Sequence, residues 1–166
     1  GVDEGEASSA TEILLEHVTK LTRGELRGPK GKKYAFSEEE AALMGSCVAR
    51  RARKEPVQYI LGEWDFYNLR NIRVRKPTLI PRPETEELVE MVLKFYGHSP
   101  PQHFLEVGPG SGAISLALLK EWGGARAHAV ELCEHAVVLT QLNAEVFGLS
   151  ERLQVSHQGI TPWAQA

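Results

Sequence analysis

A glycine-rich turn between a predicted strand and a predicted helix is the part of this sequence best suited to chemistry. Its residues are Gly108, Pro109, Gly110, Ser111 and Gly112. Glycine lets the backbone turn tightly and approach a ligand with no Cβ in the way. The helix that follows directs its free N–H groups and the positive end of its dipole toward that ligand. The sequence therefore predicts a small-molecule site at this turn.

Two acidic residues accompany the turn. Glu106 stands two residues before Gly108, and Glu131 ends the next predicted strand. In nucleotide-binding folds, an acid at the end of that second strand accepts hydrogen bonds from ribose hydroxyls. The turn and Glu131 together are a much more specific signal for a nucleoside-containing ligand than either feature alone.

These residues do not by themselves choose the cofactor. Gly108, Gly110 and Ala113 satisfy the dinucleotide pattern G-x-G-x-x-G/A. The third glycine, Gly112, and the preceding acid, Glu106, are instead typical of the S-adenosylmethionine loop of Rossmann-like methyltransferases. The turn favours a methyltransferase. It leaves open a dinucleotide-binding oxidoreductase and a glycine turn without a ligand.

The elements that must position this turn alternate regularly along the second half of the chain. Alternation of strands and helices is typical of a parallel sheet covered by helices, and so of an α/β fold. The predicted strands cover 104–107, 127–131 and 153–157, and the predicted helices cover 113–122 and 134–147.

The first half of the chain has helical periodicity and then a β-hairpin pattern. A capping box at Ser37 and Glu40 predicts the start of one helix. A loose tail is predicted at 1–10 and a loop at 24–33. Further predictions are helices at 11–23, 38–54 and 83–96, a hairpin over 64–67 and 72–75, and an extended segment at 78–85.

Composition excludes several classes of protein. The net charge is -3, whereas nucleic-acid-binding proteins usually carry a basic excess. No apolar run approaches the roughly 20 residues of a membrane span. Cys47 and Cys133 are too few for a disulfide framework and are predicted to be reduced. The six histidines show no metal-ligand spacing, so no metal site is expected.

Three further segments carry a family resemblance. In order they are residues 56–62 (PVQYILG), 64–66 (WDF) and 79–86 (LIPRPETE). Together with the turn they resemble the HemK-type peptide chain release factor glutamine methyltransferases, from about Thr11 to the last residue. The stretch 62–90 is especially similar to the vertebrate mitochondrial members.

The resemblance implies a fold, an activity and a partner. The expected domains are a small helical release-factor-binding domain at 1–55, a β-hairpin linker at 56–82, and at 83–166 the first half of a Rossmann-like S-adenosylmethionine-dependent methyltransferase sheet. Family members methylate the side-chain amide of the glutamine in the Gly-Gly-Gln motif of release factors. The resemblance implies no direct nucleic-acid contact and a mitochondrial location, with the cytoplasm as the alternative.

Site roles also follow from the resemblance. Residues 108–112 would form the cofactor loop, Glu131 would hold the ribose, and Glu106 would lie near the methionine end. Ile160 would pack against the adenine, whereas Gly159 stands where family members usually carry an acid. The segment 81–86 would line the approach to the same site.

One family motif is missing. The catalytic Asn-Pro-Pro-Tyr does not occur in the 166 residues. An amide nitrogen is a poor nucleophile, because its lone pair is delocalised into the carbonyl, and that motif would orient it. We therefore expect a fragment or an alternatively ended product that is inactive alone. The alternatives are a non-catalytic release-factor-binding module and a dinucleotide-binding oxidoreductase.

Overall fold

The computed structural model describes residues 4–159. The chain divides into two compact units, Gly1–Leu61 and Gly62–Ala166. The division into three parts at 1–55, 56–82 and 83–166 stays a prediction.

The first unit is helical. Its helices are α1 (Glu4–Thr19), α2 (Arg23–Arg27), α3 (Pro29–Lys32), α4 (Glu38–Ala52) and α5 (Val57–Leu61). The predicted capping box is confirmed, since Ser37 accepts from the backbone N–H of Glu40 and Glu40 reaches back to Ser37.

Two local predictions for the first unit were wrong. The predicted tail 1–10 contains the start of α1, where the side chain of Ala10 is buried. The predicted loop 24–33 forms α2 and α3, because Thr22 and Glu25 form a second capping box and Pro29 opens the next turn. The segment after Pro56 forms the short helix α5 before the hairpin begins.

A small apolar cluster holds the helices of the first unit together. Leu14 of α1, Cys47 of α4 and Ile60 of α5 are all buried in it. Arg50, near the C-terminal end of α4, adds an ion pair and hydrogen bonds. Its guanidinium binds both carboxylate oxygens of Glu55, at 2.9 and 3.0 Å, and donates to the carbonyls of Tyr59 and Ile60.

The second unit opens with an antiparallel hairpin and continues as an α/β layer. Its elements are β1 (Glu63–Phe66), β2 (Leu69–Arg73), α6 (Pro83–Tyr96), β3 (His103–Val107), α7 (Ala113–Glu121), β4 (Arg126–Glu131), α8 (Glu134–Val146) and β5 (Leu153–His157). The last three strands form a parallel sheet in the order β3-β4-β5. The predicted α/β fold with its hairpin and parallel sheet is confirmed.

The hairpin packs into the main core of the second unit. Phe66, Leu69 and Ile72 are at most 1% exposed and belong to the same cluster as Leu116 and Leu119 of α7. Burying one such side chain stabilises a fold by about 1.5–3 kcal/mol. The hairpin is therefore held firmly against α7.

The strand β3 lies at an edge of the sheet. Among residues 4–159, its only strand partner is β4. Its side chains alternate in exposure, and Leu105 and Val107 remain 44% and 55% exposed. Within residues 4–159, this strand therefore forms a partly hydrophobic edge of the sheet.

Arg152 closes the far end of α7. Its guanidinium donates hydrogen bonds of 2.8–3.3 Å to four carbonyl oxygens, those of Leu119, Trp122, Gly123 and Ala125. We expect Arg152→Lys to lower the free energy of unfolding by about 1–3 kcal/mol, because an ammonium group cannot reproduce the planar fork and leaves carbonyls unpaired. Urea unfolding followed by tryptophan fluorescence measures this, since all three tryptophans lie in the second unit.

A nearby arginine supplies the control. Arg126 donates to the carbonyl of Glu151 at 2.7 Å. We expect Arg126→Lys to change the free energy of unfolding by no more than about 0.5 kcal/mol. Equal losses in the two lysine variants would contradict a special role for Arg152.

Candidate functional site

The glycine turn lies where β3 ends and α7 begins. Gly108, Gly110 and Gly112 all have positive φ angles, of 70°, 61° and 82°. The N–H of Gly108 donates to the carbonyl of Val130 at 2.9 Å, and that of Gly112 donates to the carbonyl of Pro109 at 2.8 Å. The turn is therefore attached to β4 and closed on itself, in a conformation that glycine adopts readily.

The structure brings Glu131 to this turn. The carboxylate oxygen Oε1 accepts from the N–H groups of Leu132 and Cys133, at 2.8 and 2.9 Å. The other oxygen, Oε2, accepts from the N–H of Gly110 at 3.3 Å. Because β3 and β4 are parallel neighbours, their carboxyl ends meet, and the acid is held in one orientation beside the glycines.

Two buried polar side chains of helix α8 donate hydrogen bonds to the turn. The hydroxyl of Thr140 donates to the carbonyl of Gly110 at 3.0 Å, and the amide of Asn143 donates to that of Ser111 at 2.8 Å. Both side chains are fully buried. Sequence reasoning gave Thr140 no role and left Asn143 unassigned. The available signal was two polar residues three apart on the apolar face of a helix.

Glu106 points at the first turn of α7. Its Oε2 accepts from the backbone N–H of Ser115 at 3.0 Å and from the Ser115 hydroxyl. Burial raises the pKa of Glu106 above its ordinary value of 4.5, and the hydrogen bonds from Ser115 oppose that shift. Glu106 thus satisfies an N-terminal donor of α7, and its contact with the methionine end of a cofactor stays a prediction.

Neutralising Glu106 is expected to change how stability depends on pH. A raised pKa means that the folded state binds the proton more tightly, so the wild-type free energy of unfolding falls as the pH rises from about 4.5 through the folded-state pKa. Glu106→Gln keeps an acceptor for Ser115 but does not titrate. The stability of the variant relative to wild type should therefore increase across this window, as measured by urea unfolding at a series of pH values.

The matched control for that series is Glu134→Gln, at an exposed position. It measures the effect of replacing an exposed carboxylate in the same way. A curve for Glu106→Gln that runs parallel to that of the wild type would show that Glu106 carries no such linkage.

An exposed leucine lies next to Glu131. Leu132 is 75% exposed, and a Cβ added at Gly159 would come 3.5 Å from its Cδ2 atom. Sequence reasoning missed Leu132, although an apolar residue directly after a strand-end acid was the signal. Ile160, the predicted adenine contact, lies outside the described residues.

The extended segment before α6 also approaches the turn. A Cβ added at Gly110 would lie 3.5 Å from the methyl group of Thr78. The role of residues 81–86 in lining the approach stays a prediction. No group of three or more His, Cys, Asp or Glu side chains suited to a metal ion is found within residues 4–159.

Comparisons with known proteins agree on one family. Residues 2–62, nearly all of the first compact unit, match the PrmC N-terminal domain. The human MTRF1L release factor glutamine methyltransferase is 38% identical over 163 residues, covering 94% of this chain and 48% of the relative. The release factor glutamine methyltransferase of Nitratidesulfovibrio vulgaris is 35% identical, covering 87% and 48% respectively. The chain spans about half the length of these curated relatives.

Solved structures give weaker likenesses. The methyltransferase domain of METTL16 matches with a TM-score of 0.47 and 21% identity, over 75% of this chain and 51% of that one. The N-terminal domain of human METTL16 in complex with SAH matches with a TM-score of 0.46 and 20% identity, over 76% and 45%. Because both scores lie below 0.5, the fold assignment rests on the strand order and helix packing described above.

Proposed function

We propose that this chain, which belongs to the HemK-type family of release factor glutamine methyltransferases, carries the cofactor site of such an enzyme. The reaction would transfer a methyl group from S-adenosylmethionine to the side-chain amide of the glutamine in the Gly-Gly-Gln motif of a release factor. The observation that carries this proposal is the Glu131 carboxylate held beside the glycine turn.

The residues around the turn fit an adenosine-containing ligand. The Oε2 atom of Glu131 faces the turn and is suited to accept from ribose hydroxyls. Leu132 offers an exposed apolar surface next to that acid, which suits one face of an adenine ring. S-adenosylmethionine would supply an electrophilic methyl group on its sulfonium, and the described residues would bind and orient it.

The acceptors that orient the substrate amide are not among these 166 residues. The motif Asn-Pro-Pro-Tyr is absent from the sequence. Positioning of two reactants supplies several kcal/mol of a barrier of this kind. We therefore expect the 166-residue chain by itself to bind the cofactor without transferring its methyl group to a release factor.

Calorimetric titration tests the cofactor assignment. We expect S-adenosylhomocysteine to bind the chain and NAD to give no heat above dilution. Binding of NAD without S-adenosylhomocysteine would instead support the dinucleotide-binding oxidoreductase. Incubation with S-adenosylmethionine and a release factor, read by peptide mass spectrometry of the Gly-Gly-Gln segment, tests the transfer step. A methylated glutamine produced by the 166-residue chain would overturn the expectation that it is inactive alone.

The first unit supports a second role, binding a release factor without catalysis. It has its own buried cluster, and an open groove of about 250 Å³ runs between α1 and α4. Leu14 and Met44 line the groove, and Val48 at its border is 51% exposed. A pull-down of purified release factor by the chain tests this role, and the absence of any retained release factor would remove it.

We also propose a mitochondrial location, with the cytoplasm as the alternative. The support is the likeness of residues 62–90 to the vertebrate mitochondrial members and the 38% identity to the human relative. No described helix is both long and apolar enough to cross a membrane. Immunofluorescence against a mitochondrial marker decides between the two compartments.

A further inference from the structure

We propose that Asn143 is a positioning residue that locks the glycine turn to the hairpin and thereby sets the affinity of the turn for its ligand. The inference rests on the proposed cofactor site. The lock itself, meaning the hydrogen bonds of Asn143 to Arg73 and Ser111, is present in the protein without ligand. It gives a role to a fully buried polar side chain and to the hairpin strand that the side chain holds.

Asn143 joins two backbone segments that are distant in sequence. Its Oδ1 accepts from the N–H of Arg73 at 2.8 Å. Its Nδ2 donates to the carbonyl of Arg73 at 3.0 Å and to that of Ser111 at 2.8 Å. If the amide were flipped, its oxygen would face the carbonyl oxygens of Arg73 and Ser111, and no hydrogen bond could form there. The side chain therefore fits its partners in one orientation only.

This lock determines how the peptide groups of the turn are oriented. Thr140 binds the carbonyl of Gly110, and Asn143 binds that of Ser111, so two successive carbonyls point at α8. In a planar trans peptide the N–H points opposite to the carbonyl. The N–H of Ser111, which shares its peptide group with the carbonyl of Gly110, is therefore directed away from α8.

The hairpin end of the lock is rigid. Arg73 ends β2, and both of its backbone polar groups are bound by Asn143. On the same strand, Leu69 and Ile72 are fully buried in the core shared with α7. A displacement of β2 would break the bonds at Arg73 and loosen the support of the turn. The hairpin is thereby mechanically coupled to the ligand site.

The test replaces Asn143 and measures ligand affinity separately from stability. In the protein at its full natural length, Asn143→Leu retains the side-chain volume and removes all three bonds. We expect it to bind S-adenosylhomocysteine about ten-fold more weakly in calorimetry, because buried carbonyls of the turn lose their donors. The control is Leu153→Ala, at the opposite end of the sheet and buried in the same core. It should lower the melting temperature but leave the affinity within about two-fold.

A second readout needs no ligand. Hydrogen–deuterium exchange of the peptide spanning 108–112 should be faster in Asn143→Leu than in Leu153→Ala, when both are measured at the same interval below their melting temperatures. If Asn143→Leu does not fold, Asn143→Ser replaces it, since the space it leaves can hold a bridging water.

The outcomes separate the lock from the proposed function. Unchanged affinity and unchanged exchange in the Asn143 variant overturn the lock. Failure of the wild-type protein to bind S-adenosylhomocysteine refutes the proposed cofactor site. In that case faster exchange of the turn still supports the lock, and unchanged exchange overturns it.

Discussion

Gly112→Ala is expected to lower the affinity for S-adenosylhomocysteine by about 100-fold and the free energy of unfolding by about 2–4 kcal/mol. Gly112 has a φ of 82°, and a Cβ there would come 2.9 Å from the Cγ2 of Thr140 and 3.3 Å from the Cδ1 of Leu116. Thr140 cannot rotate away freely, because its hydroxyl binds the carbonyl of Gly110. The turn itself must therefore move. Calorimetric titration and urea unfolding measure the two effects.

Two further variants sharpen this prediction. Gly124→Ala adds the same methyl group where no heavy atom beyond the adjacent residues lies within 4 Å, and it should change stability by no more than about 0.5 kcal/mol. Thr140→Ser removes the obstructing methyl group but keeps the hydroxyl for Gly110, so it should restore part of the affinity to Gly112→Ala. Wild-type affinity in Gly112→Ala alone would show that the turn tolerates displacement.

Glu131→Gln is expected to reduce the affinity for S-adenosylhomocysteine by roughly 10- to 100-fold. The carboxylate offers an oriented oxygen to two ribose hydroxyls, whereas the amide replaces one oxygen with a group that donates. In the free protein that amide would also face the N–H of Gly110. The free energy of unfolding should change by no more than about 1 kcal/mol, because the carboxylate is only half-buried.

Matched substitutions test whether the charge and its position both matter. Glu134→Gln removes a carboxylate three residues away on the exposed surface and should leave the affinity unchanged. Glu131→Asp keeps two acceptors and should lose far less affinity than Glu131→Gln. Equal affinities for the Glu131→Gln and wild-type proteins would mean that this acid does not contact the ribose.

Local sequence rules were sufficient for most of the second unit. The structure has strands within one residue of the predicted positions 104–107, 127–131 and 153–157. This is because hydrophobic periodicity and the glycines that end an element can be read from the local sequence. The same rules failed at 1–10 and 24–33. There the burial of Ala10, the capping box at Thr22 and the proline at the start of α3 stabilise helices that the composition of these stretches did not predict.

The candidate site likewise has features that follow from the sequence and features that follow only from the tertiary structure. The sequence by itself determined that three glycines and the acid Glu131 end neighbouring parallel strands, and hence that they meet. It also carried the family resemblance with which the comparisons agree, because the order of short motifs along a chain requires no coordinates.

Only the tertiary structure decided what holds the turn in place. Arg73 and Asn143 are 70 positions apart, and no period or spacing rule connects them. Glu106 likewise accepts a hydrogen bond from Ser115 of α7, a contact that its place in the motif does not reveal. Buried polar groups must find partners wherever the fold brings them, so these partners follow from packing and not from sequence distance.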